Sequence, residues 1–154
     1  MKNIKKLLVG VLCLTLVFTL TGCTDKKSIT AEEFKSQMES AGYEVQDATN
    51  QFSNYSQVQK VYIAVNSNYQ IEFYQIDTVD NAVAFYNNNK SIFEQSKSSN
   101  STYSSKEIKN FAKYALNTSG NYKVLSRIDN TVILLNVNSS YKNEINSILD
   151  KLGY

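Results

Sequence analysis

No histidine occurs anywhere in the 154 residues, so neither a Ser-His nor a Cys-His nucleophile pair can be assembled. The commonest metal ligand and neutral-pH proton carrier is missing with it. A Ser-Lys arrangement survives at Ser139-Ser140-Tyr141-Lys142, but 138–140 is where a C-terminal helix needs its cap, and capping is the reading adopted. Carboxylates cluster at Glu32-Glu33 and at Asp77 with Asp80. Paired acids can do acid/base work or hold calcium, yet none has the loop spacing of a calcium site. Each also falls in a first helical turn, whose positive end accounts for it. No glycine-rich phosphate cradle is present. These absences assign no catalytic residue, no metal ligand and no cofactor.

What remains is recognition chemistry. Arg127 is the only arginine; its planar guanidinium suits a carboxylate or phosphate partner, or else a salt bridge to a neighbour such as Asp129. Tyr62 and Tyr74 lie in alternating runs, where tyrosine serves either as an interface residue or simply as a good strand former.

The elements that must hold these side chains follow from periodicity. Thr30 with Glu33 makes a capping box, with Ile29 and Phe34 as a hydrophobic staple, so a helix starts there and closes at Gly42. Alternation over Val58–Val65 and 69–76 around Asn66-Ser67-Asn68 reads as a hairpin. A three-residue loop sets Val65 against Tyr69, Ile63 against Ile71 and Val61 against Phe73. That register leaves Lys60, Tyr62, Glu72 and Tyr74 on the other face. Asp77 or Thr78 caps a second helix ending near Gln95, and 96–105, almost all Ser, Asn, Thr or Lys, reads as a mobile loop. Strands are predicted over 111–116, 122–128 and 131–137. A two-residue Asp129-Asn130 turn pairs Ile128 with Thr131, Ser126 with Ile133 and Val124 with Leu135. The opposite face then carries Leu125, Arg127, Val132 and Leu134; the register across Gly120 stays open between two choices. Tyr141, Ile145, Ile148, Leu149 and Leu152 stripe a terminal helix.

The first residues form a separate unit. Lys2, Lys5 and Lys6 precede an apolar run over 7–20, closed by Leu20-Thr21-Gly22-Cys23. This is a signal-peptide pattern, its core shorter than the roughly 20 apolar residues a spanning helix needs. The last four residues resemble the lipobox of bacterial lipoproteins, which implies cleavage before Cys23 and acylation of its thiol. Two acyl chains hold a protein firmly where one does not. Removing Lys2, Lys5 and Lys6 from 16 basic residues leaves 13 against 14 acidic ones, a net charge of −1. That balance offers no basic face for nucleic acid. Cys13 leaves with the leader, so no intrachain disulfide is available.

Lipobox, polar tether and Asn/Tyr-rich body together resemble the many uncharacterised small lipoproteins of Gram-positive anaerobes, a resemblance that carries no catalytic motif. The expected organisation is a signal peptide at 1–22, a lipidated tether at 23–29 and one α+β domain at 30–154. That domain has an antiparallel sheet of five or six strands, about three helices mainly on one face, and a helix-strands duplication as an option. The expected function is a non-enzymatic binding or protein-interaction module on the outer face of the cell membrane. It would use Lys60, Tyr62, Glu72, Tyr74, Leu125, Arg127, Val132 and Leu134 toward an envelope protein or polymer. The alternatives are an envelope enzyme, or enzyme subunit, acting on cell-wall polymer, and a sheet covered on both faces, which leaves no open surface.

Overall fold

The computed structural model describes residues 25–154; the expected signal peptide at 1–22 and Cys23 lie outside the described residues. Helix α1 (Ala31–Ser40) begins where the capping box places it. Thr30 Oγ1 accepts from the Glu33 amide at 3.1 Å, and the Glu33 carboxylate accepts from the Thr30 amide at 2.7 Å. Helix α1 is left through Gly42 at φ +87°, a left-handed conformation that only glycine adopts without strain. Strand β1 (Glu44–Asp47), a 3₁₀ turn at Thr49–Phe52, and strands β2 (Val58–Val65) and β3 (Gln70–Ile76) follow. Then come helix α2 (Val79–Gln95), strands β4 (Thr102–Ile108), β5 (Phe111–Thr118), β6 (Asn121–Ile128) and β7 (Thr131–Asn138), and helix α3 (Lys142–Leu152).

All seven strands form one antiparallel sheet in the order β1-β2-β3-β7-β6-β5-β4. Two meanders are thus joined at their inner edges by β3 and β7, and α2 carries the chain from one meander to the far edge of the other. The class is α+β, with seven strands rather than five or six. The two extra strands are the outermost ones, β1 and β4.

Strand β4 corrects the reading of 96–105 as a mobile loop. Its seven residues are all exposed, so no apolar pattern marks them. The strand exists through backbone pairing with β5, from Thr102 against Asn117 to Ile108 against Phe111. Polar, charged side chains are how a sheet edge is kept from pairing with other chains. Even the remaining turn is tied down, because Ser98 and Ser101 converge on the buried Thr118 hydroxyl.

The β6–β7 register is the one expected, with Ile128 against Thr131 and Val124 against Leu135. The β2–β3 register differs by one residue: Val65 pairs with Gln70, Tyr62 with Phe73 and Val61 with Tyr74. The loop takes in Tyr69 because the Asn66 side chain accepts from the amides of both Asn68 and Tyr69. A slip of one residue moves alternate side chains through the sheet, so Tyr62 and Tyr74 lie on opposite faces.

Two of the three helices lie on one face, and the third covers the other, so among the described residues the sheet is covered on both faces and the expected open face does not exist. Helices α1 and α3 cover the first face, where Phe34 stacks on Phe73 at 4.8 Å and Met38, Ile145 and Leu149 meet Ile71, Val124 and Leu135. Helix α2 covers the second, setting Ala82, Tyr86 and Phe93 over Val61, Tyr74, Leu125 and Val132. Those opposite placements also argue against an internal duplication. A twofold axis carrying hairpin β2–β3 onto β6–β7 keeps helices on the same face, whereas α1 and α2 lie on different ones.

Candidate functional site

The eight residues expected to share an open face do not. Lys60 and Tyr62 belong to the first face, beneath α1; Lys60 pairs with Asp47 at 2.7 Å and the Tyr62 hydroxyl donates to Glu32 at 2.7 Å. The other six lie on the second face, but Leu125, Val132 and Arg127 are buried. The apolar side chains thought to need a partner already have one in α2. Arg127 makes neither the anion site nor the salt bridge expected of it: its guanidinium donates to the backbone carbonyls of Asn110 and Asp129, at 3.2 and 3.0 Å. It ties together two adjacent hairpin turns.

Glu72, Tyr74 and Leu134 do come together, in a cleft of about 510 Å³. That volume lies within the range of small-ligand sites. The cleft opens where α2 stops short of covering β3. The 3₁₀ turn brings Phe52, the following loop brings Tyr55 and Gln57, and α2 contributes Phe85, Asn81, Asn88 and Asn89. Tyr74 is the hub. Its ring meets Phe52 edge-on at 5.5 Å and Phe85 at 4.9 Å, while Tyr55 lies 6.4 Å beyond Phe52. Buried aromatic pairs at these separations are mutually supporting, so the inner wall is set by packing before any ligand arrives. Tyr55, by contrast, is 56 % exposed at the rim.

Polar groups converge on this wall. The Tyr74 hydroxyl donates to one oxygen of Glu72 at 2.5 Å and Gln70 donates to the other at 2.8 Å. Burial, reinforced by the Glu72 carboxylate, pushes the Tyr74 phenol well above the usual tyrosine range, so it stays a neutral donor. The Asn89 side-chain amide donates to the Phe85 carbonyl at 2.9 Å and Asn81 to Asp77 at 2.8 Å. Glu72 is the one formal charge among the lining residues, and no lysine or arginine joins it.

The sequence reading missed Phe52, Tyr55, Phe85 and the asparagines. Signals for them existed: Phe52 and Tyr55 are isolated aromatics in an otherwise polar stretch, and Asn87-Asn88-Asn89 is a run of poor helix formers inside a helix. Elsewhere, Glu32, Glu33 and Asp80 lie in first helical turns as expected, Glu33 closing the capping box, whereas Asp77 falls one residue before the Thr78 cap and accepts from the Thr78 amide and the Asn81 side chain. Ser139 donates to Asn117, Lys142 lies over the Tyr122 ring, and Asn138 caps the turn leading into α3, so that stretch serves structure. Among the described residues no group of three or more acids, cysteines or histidines is placed to hold a metal, and no helix is long and apolar enough to cross a membrane. Comparison with protein-family models, with curated proteins and with solved structures finds no match to this chain.

Proposed function

We propose that this protein is a lipid-anchored binding module on the outer face of a Gram-positive cell membrane. Acylated Cys23 and the short tether hold it there, and the cleft around Tyr74 receives a small ligand or a protruding group of an envelope protein or polymer. The observation that supports this most is the composition of the cleft: a preformed aromatic wall with a carboxylate and several side-chain amides converging on it. Apolar surface with a few placed polar groups is the general make-up of ligand sites. The reading is non-enzymatic. Glycoside hydrolysis uses two carboxyl groups roughly 5 to 9.5 Å apart, and Glu72 is the acid that lines the cleft.

Calorimetric titration of full-length protein, solubilised in a polyoxyethylene detergent, with soluble envelope-polymer fragments tests the cleft. Tyr55→Ala combined with Asn88→Ala removes two exposed lining side chains without touching the core. Saturable heat in wild type, lost in the double variant, is expected; equal heats in both refute the cleft. The anchor is tested separately: Cys23→Ala should move the protein from the membrane fraction to the aqueous one and abolish labelling by fatty acid, and a variant that stays in the membrane refutes lipidation.

A further inference from the structure

The chain's lysines show what its aromatic rings attract. Among the described residues, Lys97 Nζ sits 3.9 Å from the centroid of Tyr103, Lys26 4.1 Å from Phe111, Lys60 5.1 Å from Tyr62 and Lys123 5.5 Å from Phe93. Rings on both faces therefore carry an ammonium group of the chain's own, at the exposed Tyr103 and at the margins of the buried Phe111, Tyr62 and Phe93. None of the recorded lysine–ring contacts involves Phe52, Tyr55, Tyr74 or Phe85, the four rings of the cleft. Among the described residues, this cleft brings four rings together with no lysine or arginine in its lining.

Its geometry fits such a group. Phe52 stands at 90° to Tyr74 and Phe85 at 44° to it, so the rings do not form one flat platform for a planar ligand. Packed on one another, they form a folded wall against which a compact group can sit. The electron-rich faces of aromatic rings attract cations, and the Glu72 carboxylate, the sole charge of the lining, adds attraction of the same sign. With no lysine or arginine in the lining, an anion finds no partner there. A neutral sugar could donate hydroxyls to Glu72 and use the asparagines, but only a cation also gains from the ring faces and from the net charge of the lining.

We infer that the cleft binds an organic cation, an alkylammonium head of quaternary-ammonium size, held against the wall made by Tyr55, Phe52, Tyr74 and Phe85 and countered by Glu72. This rests on the proposed binding role of the cleft and names the chemistry of its ligand. The class covers a free or polymer-borne amine as well as the choline head of a phospholipid, which differ in the phosphate beside the cation.

Titration of the full-length protein in polyoxyethylene detergent, followed by calorimetry and by tyrosine-ring NMR signals, separates these cases. The probes are choline, its uncharged isostere 3,3-dimethylbutan-1-ol, phosphocholine and N-acetylglucosamine. Choline is expected to bind at least roughly tenfold more tightly than the isostere, the difference that ring and carboxylate attraction to a desolvated cation supplies. Glu72→Gln, which can still accept from Tyr74, should remove most of that preference, and Tyr55→Ala should weaken choline several-fold. Phosphocholine binding more weakly than choline would identify a bare amine as the ligand; tighter binding would identify a headgroup. Equal affinity for choline and the isostere overturns the inference, as does N-acetylglucosamine binding without choline; both leave a binding cleft standing. If no probe moves the Tyr55 or Tyr74 ring signals, the inference is overturned and the binding role loses its support with it.

Discussion

Tyr74 shows how one side chain can belong at once to a core and to a cleft. Its ring is 5 % exposed and packs with Phe52 and Phe85, while its hydroxyl reaches Glu72 at the cleft floor. Tyr74→Phe keeps the packing and removes only the charge-assisted hydrogen bond. Solvent reaches the half-buried Glu72 and makes good part of the loss, so the expected cost is about 1–2 kcal/mol, measured by urea unfolding at neutral pH. An unchanged midpoint would show that the hydroxyl contributes nothing to the fold. Arg127 carries the opposite lesson. A lone arginine in a strand invites a ligand-binding reading, but here it is 7 % exposed and its donors go to turn carbonyls. An alanine variant at Arg127 or Tyr62 would report folding rather than recognition, and Tyr55 and Asn88 are the positions that report recognition.

Strand β4 and its approach are held by polar contacts. Thr118 is buried at 4 % exposure; its hydroxyl accepts from Ser101 at 2.7 Å and donates to the Ser96 carbonyl at 3.2 Å. Thr118→Val preserves shape and strands both partners, so a loss of about 1–2 kcal/mol is expected. Amide exchange should quicken at residues 97–101 while the β4–β5 amides stay protected. Slow exchange throughout 97–101 in the variant would show that the hydroxyl does not hold this segment. Helix α2 works differently. Its start is fixed by Thr78, whose side chain accepts from the Asn81 amide, and its buried stripe closes the second face. Its exposed Asn88 is left to the cleft.

The molecule as a whole is rich in tyrosine, with 11 in the chain. Several phenols are held neutral by the fold. Burial is the main cause of the upward shift at Tyr69, Tyr74 and Tyr86, and it pushes Tyr154 from 10.0 up to about 12. A pKa raised in the folded state means that between the two values the unfolded chain has lost protons the folded chain keeps, so stability falls as pH rises. The contribution is therefore complete below about pH 10 and is lost between pH 10 and 12 for Tyr154, with the other three adding to the loss. Tyrosinate absorbance should rise in two stages, exposed phenols first and buried ones together with loss of circular dichroism. A single smooth titration with the secondary structure intact would contradict this.

Features set within a few residues were legible in the chain before any fold was known. Thr30 and Glu33 cap each other three positions apart, Asp77 or Thr78 had to start α2 and Thr78 does, Gly42 stops α1, and the short Asp129-Asn130 turn fixes the β6–β7 register, because each depends on neighbours along the backbone. The lysines followed by an apolar run up to Cys23 are a sequence pattern of the same local kind. Two local features escaped because no apolar pattern marks them, and distance along the chain hid the cleft. A loop one residue longer at Asn66 put Tyr62 and Tyr74 on opposite faces, and backbone pairing made β4 out of residues with no apolar pattern. The cleft needs Phe52, Glu72, Tyr74 and Phe85 from three elements, and which faces meet is decided only when α2 packs across the sheet and buries its apolar stripe.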